Sequence, residues 1–147
     1  MTLAPVDAAP LTIADEVAGL DLAPVEYLLR TSGRPRPWTQ SQCDLVLPWY
    51  RRFLTLVMLH PERQWSPPAE IDEVWHQHIL FTEKYMQDCD RIFGHYVHHT
   101  PCLGVVPEGA TDKAETEPWL ERFGGRVDDM RVAFARRGAT LASLIVD

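Results

Sequence analysis

Ala69-Glu70-Ile71-Asp72-Glu73-Val74-Trp75-His76-Gln77-His78-Ile79-Leu80, continued by Phe81-Thr82-Glu83-Lys84-Tyr85-Met86-Gln87-Asp88-Cys89-Asp90-Arg91-Ile92-Phe93, is the stretch whose periodicity decides the fold class. At about 100° per residue, Ile71, Trp75, His78, Ile79, Thr82, Tyr85, Met86, Cys89 and Phe93 fall on one broad face. Asp72, Glu73, His76, Glu83, Gln87 and Asp90 fall on the other. Ser66-Pro67-Pro68 stands in front of the run, where a proline's missing N–H costs little, and Gly94 stands behind it as a helix terminator. The pattern predicts one long helix over 69–93.

The rest of the chain repeats that signal around it. Residues 22–29 form a short amphipathic segment that ends in Thr31-Ser32-Gly33. Thr39 and Gln42 have capping-box spacing, and Cys43, Val46, Tyr50, Phe53, Leu54 and Val57 follow at helical intervals. Pro48 lies inside this second run and predicts a kink or a late helix start, and His60-Pro61 ends it. Gly94, Pro101, Gly104, Pro107 and Gly109 mark 94–114 as a long loop. Residues 115–123 read as a short helix before Gly124-Gly125, and 127–135 with 141–146 as one broken helix or two short ones. Trp38, Trp49, Trp65 and Trp75 read as core. The expected fold is all-α, a compact irregular bundle of about four to six helices with a long loop after the central one. It forms a single domain over 1–147, with residues 1–12 as a flexible arm.

Composition narrows the function classes. A chain of 147 residues that is 46% hydrophobic is long enough to bury a core without disulfides or metals. Cys43, Cys89 and Cys102 are odd in number and form no CxxC pair, which disfavours a disulfide framework and fits a reducing compartment. No secretory signal is recognisable at the N-terminus, and the apolar run at 53–59 is too short to span a bilayer. A cytoplasmic location is expected, with no membrane partner. A formal net charge of −7 disfavours binding to a phosphate backbone, which depends on clustered Lys and Arg. Arg51-Arg52 and Arg136-Arg137 read as solvated faces.

Chemistry concentrates between Asp72 and His99. His76 and His78 invite a His-x-His metal label, but i and i+2 on a helix point about 200° apart, so they cannot grip one ion. On a straight helix His78 and Cys89 share a face yet lie about 16 Å apart. Two constellations remain. Asp72 and His76 are neighbours at i and i+4 and can hold a divalent metal jointly if a loop histidine, His98 or His99, or else His60, completes the set. The alternative is an exposed Asp–His pair of a few tenths of a kcal/mol. His78, Thr82, Tyr85 and Cys89 form a polar stripe on the core face, either a satisfied internal network or the lining of a pocket.

These residues resemble the GRDP-like family, the domain found at the front of plant glycine-rich domain-containing proteins and in short bacterial forms. The resemblance rests on Trp38-Thr39, 50–54, Pro67 or Pro68, 71–80, Thr82, Tyr85, Asp88-Cys89, Phe93-Gly94, His98-His99 and Pro101, across roughly 22–104. It implies that Asp72, His76, His78, Tyr85, Cys89, His98 and His99 belong to one signature and therefore to a functional site. It does not carry over RNA-related roles, because the glycine-rich and RNA-binding regions of the plant members are missing here.

The expected function is a small soluble helical protein with a His/Asp-rich site for a divalent transition metal, zinc or iron. Asp72, His76, His98 and His99 are the candidate ligands. His78, Tyr85 and Cys89 are the candidate catalytic groups of a metalloenzyme acting on a small molecule or peptide. The alternative is a non-catalytic protein-interaction module whose histidines form a structural core network. A third possibility is a metal-free enzyme built on His78, Tyr85 and Cys89.

Overall fold

The computed structural model describes residues 9–99, 110–111 and 113–146. Among them the chain is all-α: α1 (Asp15–Ala18), α2 (Ala23–Ser32), α3 (Gln40–Leu59), α4 (Ala69–Leu80), α5 (Thr82–Phe93), α6 (Lys113–Glu121) and α7 (Val127–Val146). A two-residue parallel pair, β1 (Gln64–Trp65) with β2 (Ala110–Thr111), adds the only bridging between extended segments described. The count of seven includes the single turn of α1 and a division within 69–93 that the sequence pattern does not announce.

The axis of the bundle is α3. Its first turn is closed by the expected capping box: Gln42 N–H donates to Thr39 Oγ1 at 3.0 Å, and Thr39 N–H donates to Gln42 Oε1 at 2.9 Å. The helix therefore starts at Gln40, not after Pro48, and runs through that proline to His60. Pro48 lies on the exposed side, while Val46, Tyr50, Phe53 and Leu56 on the other side are wholly buried. Helices α1, α2, α4, α6 and α7 all pack on α3. Burying an aliphatic or aromatic side chain of this kind contributes about 1.5–3 kcal/mol, so this face carries much of the fold's stability.

Trp38, Trp49, Trp65 and Trp75 are core residues, each no more than 7% exposed. The turn between α2 and α3 depends on Gly33: a Cβ there would lie 2.3 Å from the Leu29 carbonyl oxygen and 2.8 Å from the Trp38 ring. Only glycine lets the chain pass so close to the end of α2. Arg51 and Arg52 are not simply solvated. Arg51 donates to the Val17 carbonyl at 2.7 Å and Arg52 to the Gly124 carbonyl, tying α3 to α1 and to the turn before α7. Arg137 likewise donates to the Ser41 carbonyl at 2.8 Å.

The expected single helix over 69–93 is two helices. Phe81, at φ −82° and ψ 74°, is at once the C-cap of α4 and the N-cap of α5. Each half keeps its own buried stripe: Ile71, Val74, Trp75 and His78 on α4, and Tyr85, Asp88, Cys89 and Ile92 on α5, at i, i+3, i+4 and i+7 spacing. The two stripes face each other, so Met86, expected on the buried face, is 53% exposed. The 127–146 segment is one helix, neither broken nor doubled. Of the expected arm, residues 1–8 lie outside the described residues. Further along it, the Leu11 amide donates to the Arg122 carbonyl at 3.0 Å, and Arg122 donates to the Ala9 carbonyl at 2.7 Å. Most of the expected loop, 100–109 and 112, with Cys102, also lies outside them. No helix among the described residues is long and apolar enough to cross a membrane.

Gly94 closes α5 in the left-handed region at φ 76°, its N–H reaching the Asp90 carbonyl at 3.0 Å. A Cβ there would touch nothing within 4 Å, so the cost of replacing it is the backbone's alone. Gly94→Ala is expected to lower the unfolding free energy by about 1–2 kcal/mol and Gly94→Asn by less, as measured by urea denaturation.

Candidate metal centre

Helix α4 sets Asp72 and His76 one turn apart, and the segment after Gly94 turns back along it to bring His99 alongside. His99 Nε2 lies 2.7 Å from Asp72 Oδ1, and His76 Nε2 lies 3.3 Å from Asp72 Oδ2. The His76 and His99 ring centroids are 4.5 Å apart. One ligand atom from each of Asp72, His76 and His99 can be chosen so that all three lie within 4.8 Å of one another. The Trp75 ring supports His99 from the protein side, with centroids 4.3 Å apart. The His76 side chain is half exposed at 49%, whereas His99 is 16% exposed. The group therefore has an anchored inner side and a solvent-facing outer side.

A further carboxylate stands behind His76: Glu73 Oε1 is 3.7 Å from His76 Nδ1. Glu73, expected on the polar face, is buried. Its Oε2 accepts from the Arg34 amide at 2.8 Å and from Gln77 Nε2 at 2.9 Å. At 3.7 Å Glu73 makes no hydrogen bond to the His76 ring and only adds negative charge beside it. His98 is exposed and packs against Tyr96 at 4.7 Å, outside the group. His60 is also elsewhere, between Glu62 at 3.5 Å and the Trp119 ring at 5.0 Å. Of the four proposed ligands, the fold assembles Asp72, His76 and His99.

His78 has a different environment two residues along the same helix. It is 2% exposed and bonded at both ring nitrogens, to the Tyr50 hydroxyl at 2.6 Å through Nδ1 and to Asp88 Oδ2 at 2.8 Å through Nε2. Burial holds its pKa below the usual histidine value, against the opposing pull of Asp88. Burial also raises the Tyr50 hydroxyl well above the tyrosine range. The neutral ring therefore accepts the Tyr50 O–H at Nδ1 and donates Nε2–H to Asp88, whose charge is balanced by Lys84 Nζ at 3.0 Å. Tyr85 and Cys89, each 1% exposed, lie in the same buried layer. Burial raises the Cys89 thiol, the reverse of what activates a nucleophile. The Tyr85 hydroxyl is raised by burial too, accepts from Trp75 Nε1 at 2.9 Å and donates to the Val97 carbonyl at 2.6 Å.

The straight-helix distance of about 16 Å along this stripe does not hold, because the break at Phe81 folds α5 back onto α4. Sequence reasoning missed Tyr50 and Asp88 as the partners of His78. Tyr50 is 28 residues away on another helix, and its helical spacing marked it only as core. Asp88 becomes a partner only through the break. A faint local signal for that break exists in Thr82, a residue type that favours helix starts, although the capping position itself is Phe81.

The UCP032817-like family profile matches residues 28–119, and the chain belongs to that family. This finding replaces the resemblance to the GRDP-like family. The segment from Asp72 to His99 lies wholly inside the matched region, so the motif that suggested the plant domain falls within a different family's pattern. No curated protein and no solved structure shows significant similarity to the chain.

The two histidines of α4 should separate cleanly in stability measurements. His78→Ala strands the Tyr50 hydroxyl and the Asp88 carboxylate and opens a cavity, and is expected to cost about 3 kcal/mol or more. His76→Ala should stay within about 0.5 kcal/mol of the parent. A second expectation concerns pH. The unfolded His78 takes up a proton near its ordinary value of 6.5, whereas the folded ring resists it. Its contribution to stability is therefore complete above pH 6.5 and is lost as pH falls from there through the depressed folded value. Urea titrations across that window should show a slope that flattens in His78→Gln.

Proposed function

We propose that this UCP032817-like chain binds a divalent transition metal, zinc or ferrous iron, through Asp72, His76 and His99, and uses it as a metalloenzyme on a small molecule or peptide. The observation that carries the reading is the approach of one carboxylate and two imidazoles, from a helix and a separate returning segment, to within 4.8 Å of one another. Two donors about 2.1 Å from a tetrahedral ion lie about 3.4 Å apart, so small side-chain adjustments close the set. Three mixed nitrogen and oxygen ligands leave coordination positions free, which is the pattern of catalytic rather than structural ions. The exposed side of His76 supplies an entry path for water and substrate.

Within this reading His78, Tyr85 and Cys89 belong to the scaffold. The buried Tyr50–His78–Asp88 chain favours a structural-network role for His78 in particular. That role is compatible with a metal at the neighbouring face, because His76 and His78 point to opposite sides of α4. The hydrogen bond between His99 and Asp72 must open when an ion enters between them.

Isothermal titration of tag-free protein with Zn2+, and with Fe2+ under anaerobic conditions, tests the proposal. One ion per chain is expected. Asp72→Asn, His76→Ala and His99→Ala should each weaken binding at least about tenfold while the circular dichroism spectrum stays that of the parent. Absence of binding by the parent, or affinity indifferent to all three substitutions, would sink it.

A further inference from the structure

We propose that Tyr85 is the positioning residue of this centre: its hydroxyl, by holding the Val97 carbonyl, fixes the 96–99 segment where His99 reaches Asp72 and His76. The metal consequence rests on the reading of Asp72, His76 and His99 as a metal centre; the placement of His99 does not.

Residues 95–99 belong to no helix or strand, so something other than backbone pairing must place them. Three side-chain hydrogen bonds connect this segment to the helices: His95 Nδ1 with the Phe93 carbonyl at 3.1 Å at its very start, and further along Tyr85 Oη to the Val97 carbonyl at 2.6 Å and His99 to Asp72 at 2.7 Å. Val97 is thus gripped from α5, while His99, two residues later, meets α4. Two residues span at most about 7 Å, so fixing Val97 confines the His99 backbone to the neighbourhood of Asp72.

Trp75 joins the last two contacts. Its Nε1–H donates to the same Tyr85 hydroxyl at 2.9 Å, and its ring is the surface on which His99 rests. The Tyr85 oxygen therefore orients both the strap carrying the ligand and the platform beneath it. The hydroxyl itself is 1% exposed at the residue level and touches neither Asp72 nor His76, so its part is positioning, not coordination. Tyr50 provides the comparison: it too is a buried tyrosine with one short hydrogen bond, but its partner is His78 and not the strap.

Tyr85→Phe and Tyr50→Phe should both lose stability, and only the first should loosen the strap. In Tyr85→Phe the backbone order parameters of residues 96–99 should fall from the rigid range of about 0.85 to below about 0.6, and the Zn2+ dissociation constant should rise about 10–100-fold. In Tyr50→Phe both should remain at the parent's values once global stability is accounted for. Parent-like order parameters at 96–99 in Tyr85→Phe overturn the proposal. If the parent binds no Zn2+ yet Tyr85→Phe frees the strap, the metal reading fails and the positioning of His99 stands. Should Tyr85→Phe not fold, proton NMR of the parent decides. A slowly exchanging Tyr85 hydroxyl with nuclear Overhauser contacts to the 97–98 backbone supports the proposal, and a freely exchanging one overturns it.

Discussion

The hydrogen bond from His78 Nε2 to Asp88, 2.8 Å long, exists only because the chain leaves the helical conformation for one residue at Phe81. Ten residues along an unbroken helix span about 15 Å. The break lets α5 lie against α4, and with it come the contact of Tyr85 with Trp75 and the reversal at Gly94. His99 reaches Asp72 as the last consequence of that sequence. The candidate centre is thus held from below by a buried polar layer, in which each unmet group would cost about 1–3 kcal/mol.

Helix α4 gives its two histidines opposite tasks through geometry alone. His78 faces α3 and α5, loses its solvent, and is kept neutral between a phenol and a carboxylate. His76 faces outward between Asp72 at 3.3 Å and Glu73 at 3.7 Å. A metal bound there would meet a His99 whose ring already rests on Trp75, which reduces the ordering cost of binding.

The parts legible in the sequence were those set by local spacing. The capping box of Thr39 and Gln42 depends on residues three apart, and the Asp72–His76 pair on residues four apart; both could be read directly. The break at Phe81 could not, because no glycine or proline marks it and both halves keep helical periodicity. It is imposed by packing against α3 and by the pairings of Trp75 with Tyr85 and His78 with Asp88. The choice of His99 over His98 was equally hidden, since it depends on how Val97 is held. The aromatic, acidic and histidine residues behind the GRDP-like resemblance fall inside the UCP032817-like pattern over 28–119, so that motif alone does not separate the two families.

Everything proposed for this site depends on Asp72, His76 and His99 acting as one metal-binding group. Anomalous diffraction at the zinc edge, from crystals of tag-free protein grown with one equivalent of Zn2+, tests it most directly. A single strong peak is expected about 2.0–2.2 Å from an oxygen of Asp72 and from one nitrogen each of His76 and His99. A peak at other residues, or none at this group in well-ordered crystals, would contradict it.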